Sequence, residues 1–314
     1  MSSFFFKPTI NIEVDEVPNR RKVYLRDEDY NRIILPSFYD RENVQGSVKI
    51  QLNSNTLSHS GIKILFEGVI ENTSKTLSKE DKFITLEKEL LPPGKITQQV
   101  LVVPFHFNNV EKAYESYRGI VFNVIYRLKV ILKTTFKQFA WEREIGVVHP
   151  KSREEMNQNN PPFRLDVKIA KMLKLSFEMD HTKYGTKDIC TGRVIFKETS
   201  MKMKMMMIQI MRREAVTGGE TDVAILCRYE LMDGCPVNEE VVPIRFFLSP
   251  YELTPTYDNV NHKFSVKYIL NLVLIDDEEK RYFKQHEIEL FRIPRVYKVE
   301  GPSDNNEKKP LTNK

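Results

Sequence analysis

Few residues of this 314-residue chain have the type and spacing that chemistry requires. His286-Glu287 begins like the helix of a zinc protease, where two imidazoles four residues apart hold the metal and the glutamate activates water. Here the second position is Leu290, and the pair sits in a period-two stretch, so it reads as a surface pair. The run Asp276-Asp277-Glu278-Glu279 offers oxygen ligands for a hard cation. Lys280-Arg281 follows at once, which makes a solvated hairpin tip the better reading. Gly94-Lys95 lacks the upstream glycine and the following Ser or Thr of a phosphate-cradling loop. No dinucleotide-type glycine spacing and no G-x-S-x-G elbow occurs, and none of the six histidines pairs with a cysteine at metal-ligand spacing. The chain reads as non-enzymatic, with no cofactor and no metal. A metal-dependent hydrolase built on a β-sandwich is the enzyme alternative, and it requires near-stoichiometric metal.

Bulk properties narrow the class further. Three cysteines, Cys190, Cys227 and Cys235, form no disulfide framework and indicate a reducing compartment. The net charge of +5 comes without a dense basic stripe interleaved with aromatics, so no nucleic acid partner is indicated. Phe4-Phe5-Phe6 is too short for a signal-peptide core, and no stretch approaches the ~20 apolar residues of a membrane span. The expectation is a cytoplasmic protein that reaches membranes by recruitment.

The elements are strands. Val48, Ile50 and Leu52 alternate, as do Ile62, Ile64 and Phe66, and Val124, Tyr126, Leu128 and Val130. Leu165, Val167 and Ile169 open a second series that runs through Leu173, Leu175 and Phe177 to the stretch from Phe264 to Leu274. Turn residues such as Pro92-Pro93-Gly94 and Met232-Asp233-Gly234 separate the runs, the pattern of sandwiches or barrels. The Met/Lys alternation from Met201 to Met207 fits one strand with methionine inward, although Met-rich surfaces also serve adaptable binders. A polar, Pro-bounded stretch at 149–162 reads as a linker. It divides the chain into domains at 1–148 and 163–293, with 294–314 a polar, disordered tail.

Longer blocks carry a resemblance. They include His59-Ser60-Gly61-Ile62-Lys63-Ile64, Glu89-Leu90-Leu91-Pro92-Pro93-Gly94, and Tyr114-Glu115-Ser116-Tyr117. The second half adds Tyr229-Glu230-Leu231-Met232-Asp233-Gly234, Pro243-Ile244-Arg245, Lys263-Phe264-Ser265-Val266 and Arg281-Tyr282-Phe283-Lys284-Gln285. Together they span positions 40 to 292 and resemble the arrestin-like small subunit of the retromer sorting coat, the vacuolar protein sorting family numbered twenty-six. The resemblance implies an all-β fold of two arrestin-like β-sandwich domains joined by a short linker. It implies attachment to the large helical-solenoid subunit through Leu231, Met232, Asp233 and Gly234. Two large apolar residues before an Asp-Gly turn suit an anchor, and they could equally close the end of a sandwich. It further implies a pocket at Val167 and Phe283 for a sorting nexin and the cytosolic tails of membrane cargo, by strand addition to an open edge. Ordinary core packing is the other reading of those two residues. Another arrestin-like adaptor, or a subunit of a related endosomal complex, is the alternative to retromer. The implied location is cytoplasmic and peripheral to endosomal membranes.

Overall fold

The computed structural model describes residues 7–15, 20–26, 31–73, 80–219 and 221–294. The expected tail lies outside the described residues apart from Pro294. Twelve strands come first: β1 (Thr9–Val14), β2 (Lys22–Arg26), β3 (Arg32–Phe38), β4 (Val44–Gln51), β5 (Leu57–His59) and β6 (Ile62–Asn72), then β7 (Glu80–Leu91), β8 (Gly94–Ile96), β9 (Val100–Phe107), β10 (Tyr117–Arg118), β11 (Phe122–Lys133) and β12 (Gln138–Val147). A short helix, α1 (Arg153–Asn157), follows. Ten more strands complete the chain: β13 (Phe163–Ile169), β14 (Leu173–Met179), β15 (Lys183–Gly185), β16 (Ile189–Thr199) and β17 (Met203–Val216), then β18 (Thr221–Asp233), β19 (Val241–Phe247), β20 (Tyr257–Val260), β21 (Phe264–Asp276) and β22 (Arg281–Phe291).

The fold is all-β, two sandwiches in series. In the first, a sheet ordered β1-β4-β9 faces a larger one ordered β2-β3-β12-β11-β6-β7. In the second, β13-β14-β16-β19 faces β15-β22-β21-β17-β18. Period-two alternation explains why these segments are strands: one side of each is inward and apolar. Val48, Ile50, Ile62, Ile64, Phe66, Leu128 and Val130 are fully buried in the first core; Leu175, Phe177, Ile208, Ile210 and Leu270 are fully buried in the second.

Two segments carry detail beyond the sequence reading. The stretch at 149–162 carries α1, started by a reciprocal Ser152/Glu155 capping box, and its Met156 is buried. Arg153 reaches from it to Asp188 of the second sandwich in a bidentate pair at 2.5 and 2.8 Å. The methionine run also changes face midway. Met201 and Met203 are buried with Lys202 and Lys204 exposed, but a bulge between Met203 and Met205 resets the register. Met206 then faces inward, while Met205 and Met207 are half-buried on the outer side.

The two sandwiches meet across a buried polar and aromatic seam. Glu214, fully buried on β17, accepts the Ile120 and Val121 amide N–H groups at 2.9 and 3.0 Å and ion-pairs with Arg212 at 2.8 Å. Glu115, also buried, accepts the His149 N–H at 3.0 Å and pairs with Arg292 from the second sandwich. Phe122 stacks on Phe264 with centroids 4.7 Å apart, and Tyr117 meets Tyr257 edge-on at 5.3 Å. Asp81 receives Lys263 and Asn261 at the rim. Burial opposes charge on Arg292, yet Glu115 keeps its guanidinium above the ordinary arginine value.

Removing one partner here leaves the others buried and unpaired. Glu214→Ala is expected to lower unfolding free energy by about 3–5 kcal/mol in a urea titration followed by circular dichroism. A loss below about 1 kcal/mol, within the range of an exposed ion pair, would show that the seam carries little of the stability.

Candidate functional site

The candidate site of this chain is a set of surfaces. Among the described residues no group of three or more His, Cys, Asp or Glu side chains is placed to hold a metal ion. His286, read from sequence as a surface residue, is half-buried and stacks on Phe163 at 3.7 Å. The acidic run forms the β21–β22 hairpin tip. Asp276 closes it by accepting the Glu278 and Lys280 N–H groups at 3.1 and 2.8 Å, with Asp277, Glu278 and Glu279 exposed.

Leu231 to Gly234 lie at the end of β18, the edge strand of its sheet. Met206 pairs with Met232 and Met207 with Glu230, so Leu231 is the extra residue of a bulge. A regular strand would send Leu231 and Met232 to opposite faces. The bulge instead leaves both half-buried against the rim of the core, each with part of its apolar surface open. Asp233 is exposed, and Gly234 turns the chain with φ +95°, a conformation that disfavours a side chain. The Gly234 N–H donates to the Lys204 carbonyl at 2.8 Å, fixing the turn beside the Met-rich start of β17.

Val167 and Phe283 lie on two open edges of the same sandwich. β13 is the edge of the four-stranded sheet, and Val167 pairs with buried Leu175 and packs on the core. Phe283 pairs with Val273 on the outer face of the opposite sheet and is 57% exposed. Val167 is thus turned toward the core and Phe283 toward the outer face of its sheet. The Phe163–His286 stack ties the two edges together. β22 gains a second neighbour only where β15 pairs with Glu289, Leu290 and Phe291, so its first half is open among the described residues. Such an edge offers unpaired backbone groups to an added strand.

The outer face of β13 is stapled by charge. Asp166 accepts from the Ser176 hydroxyl at 2.5 Å and from Lys197 at 3.3 Å, with Arg164 alongside at 3.4 Å. The hydroxyl bond first, then the cations, hold its carboxyl down at about 2.

The family model for vacuolar protein sorting-associated protein 26 matches residues 6–279. The chain belongs to that family. Vacuolar protein sorting-associated protein 26B of Mus musculus is 39% identical over 301 residues, covering 93% of this chain and 88% of the mouse protein. The Homo sapiens protein of the same name gives the same identity and coverage. The Arabidopsis thaliana 26B protein is 37% identical over 296 residues, 92% of this chain and 96% of that one. Family membership makes this chain a component of vacuolar protein sorting. No helix among the described residues is long and apolar enough to cross a membrane.

Sequence reading missed the seam residues Glu115, Arg212, Glu214 and Arg292. A signal was present for two of them. On β17 the inward positions run Met206, Ile208, Ile210, Arg212, Glu214, so a charged pair interrupts an otherwise apolar face. Charge at an inward position demands a buried partner.

The Asp166 staple has a pH signature. Its folded pKa lies below the ordinary 3.8, so its contribution is complete above that pH and is lost as pH falls towards about 2. Thermal melts from pH 5 downward should show a steeper loss for the wild type than for Asp166→Asn. Parallel curves would contradict the staple.

Proposed function

We propose that this chain is the non-catalytic, arrestin-like subunit of a retromer coat. It joins a large helical-solenoid subunit to membrane cargo in endosome-to-Golgi or endosome-to-surface retrieval. The observation that carries the reading is the match to one protein-sorting family along almost the whole chain. On this reading 1–148 and 163–293 act as two units held rigidly by the seam around Glu214 and Glu115. The 149–162 segment is tied to the first through the His149 N–H on Glu115 and to the second through Arg153 on Asp188.

The solenoid subunit docks on Leu231, Met232, Asp233 and Gly234. What supports this is the bulge: it presents two adjacent apolar side chains, half-open, on a strand edge beside a turn fixed by hydrogen bonding. Apolar anchors of this kind, set at an edge and covered by a partner, act as hot spots. A sorting nexin and the cytosolic tail of cargo engage the open edges that carry Val167 and Phe283. The exposed phenyl ring of Phe283 supplies apolar contact, and the unpaired backbone of the edge supplies hydrogen bonds. The protein is then cytoplasmic and sits on endosomal membranes through its partners, with no cofactor.

Leu231→Asp combined with Met232→Asn tests the docking loop. Both side chains are half-exposed, so the variant is expected to keep its circular dichroism spectrum and its melting transition. Its affinity for the purified solenoid subunit should fall by about 100-fold or more in calorimetry. Unchanged binding by the folded variant would remove the loop from the interface, and no binding by the wild type would remove the retromer assignment itself.

A further inference from the structure

The end of the first sandwich that carries the β11–β12 hairpin gathers loops that are far apart in sequence: residues 52–56 after β4, 60–61 before β6, 92–99 around β8 and 134–137 between β11 and β12. Register and backbone bonds bring them together. Leu132 pairs with Ile62 and Ile62 with Leu91, while Ser58 pairs with Lys95. The Ser60 N–H donates to the Lys133 carbonyl at 2.7 Å, and the Leu52 N–H to the Gln99 carbonyl at 2.9 Å. The Asn53 side chain donates to the Lys7 carbonyl at 2.8 Å, and the Lys7 ammonium lies 5.0 Å over the Trp141 ring, so the chain before β1 joins the same end.

Charge here has one sign. Lys7, Lys95, Lys133 and Lys137 are all exposed. Residues 43–66, 90–110 and 116–141, which supply these loops and the strands leading to them, contain no Asp or Glu. The carboxylates that flank those stretches stand back on the strands. Glu89 pairs in register with Lys63, Glu87 forms an ion pair with Lys63 at 2.7 Å, and Glu142 forms one with Lys129 at 2.6 Å. Apolar surface accompanies the charge. Phe136, at the hairpin turn, is 76% exposed, the most open large apolar side chain among the described residues. Its turn is held closed: the Thr134 N–H and hydroxyl donate to the Lys137 carbonyl at 2.8 and 2.9 Å, and the Lys137 N–H returns a bond to that hydroxyl at 3.0 Å. The ring is therefore presented on a fixed turn, between Lys133 and Lys137.

We propose that this end of the first sandwich docks directly on an anionic phospholipid bilayer. Phe136 enters the boundary between headgroups and acyl chains, and the four lysines rest against lipid phosphates. A bilayer fits both features at once, because it offers negative charge at its surface and an apolar layer just beneath. A nucleic-acid strand is gripped by a basic groove with several stacking rings, and this turn has one ring at its tip. One ring and four lysines make a weak contact that salt screens, so it supplements recruitment by partners. It uses neither the β18 bulge nor the edges at Val167 and Phe283.

Sedimentation of the full chain with phosphatidylserine-rich vesicles, against pure phosphatidylcholine vesicles, tests the contact. The wild type is expected to bind the anionic vesicles and to be released by high salt. Lys133→Glu with Lys137→Glu should weaken that binding by about tenfold or more. Lys171→Glu with Lys202→Glu makes the same change of net charge on the second sandwich and should alter it by less than about twofold. All four lysines are exposed, so melting curves should be unchanged. In Phe136→Trp, emission should shift to the blue on anionic vesicles, beyond any change of Trp141 in the wild type, and be quenched by brominated acyl chains. Four results overturn the proposal: no binding of the wild type to anionic vesicles; equal weakening by the two lysine pairs, which would reduce the contact to net charge; no shift or quenching in Phe136→Trp; or tighter binding to random single-stranded DNA than to vesicles, lost with Lys133 and Lys137, which would make this end a nucleic-acid site.

Discussion

Two buried carboxylates hold this molecule in one shape. Glu214 collects two backbone N–H groups and Arg212, and Glu115 collects a backbone N–H and Arg292, at the junction of the two sandwiches. Taking a carboxylate out of water is costly, and it is tolerated only where donors replace the lost hydration. These donors come from both halves of the chain, so the carboxylates are satisfied only when the halves are docked in one arrangement. The stacked Phe122–Phe264 and edge-on Tyr117–Tyr257 pairs add apolar burial but tolerate sliding more readily than the ionic bonds do. The polar seam therefore fixes geometry, and the aromatic seam supplies cohesion.

A rigid two-sandwich body suits a component of vacuolar protein sorting. The bulged end of β18 and the open edges of β13 and β22 all lie on the second sandwich. The β18 bulge and the β13 edge belong to opposite sheets of that sandwich. Open edges are also an aggregation hazard. Alternating charge on β13, with Arg164, Asp166 and Lys168 outward, discourages indiscriminate pairing there.

Much of the fold was legible from period-two alternation, because each strand has one wet and one dry face. Where the alternation breaks, sequence reading failed for a local reason. The bulges at Met203–Met205 and at Leu231 add a residue, and an added residue swaps faces in a way that periodicity cannot signal. The helical turn within 149–162 escaped notice because one turn with a single buried residue, Met156, has no period to detect. The loop at Leu231–Gly234 stood out through resemblance, with the apolar pair before an Asp-Gly turn as its one signal in the residues themselves. Val167 and Phe283 share an alternating pattern with dozens of core residues; only the coordinates reveal that one faces the core and the other faces out.

The central claim is that a rigid body presents the β18 bulge to a solenoid partner. Hydrogen–deuterium exchange on the full chain, with and without the purified solenoid subunit, tests it most directly. The account predicts new protection confined to the end of β18 and the turn after it, with no change in exchange at residues 115–121 beside Glu214. Protection elsewhere with the bulge unaffected, or faster exchange at 115–121 on binding, would contradict it.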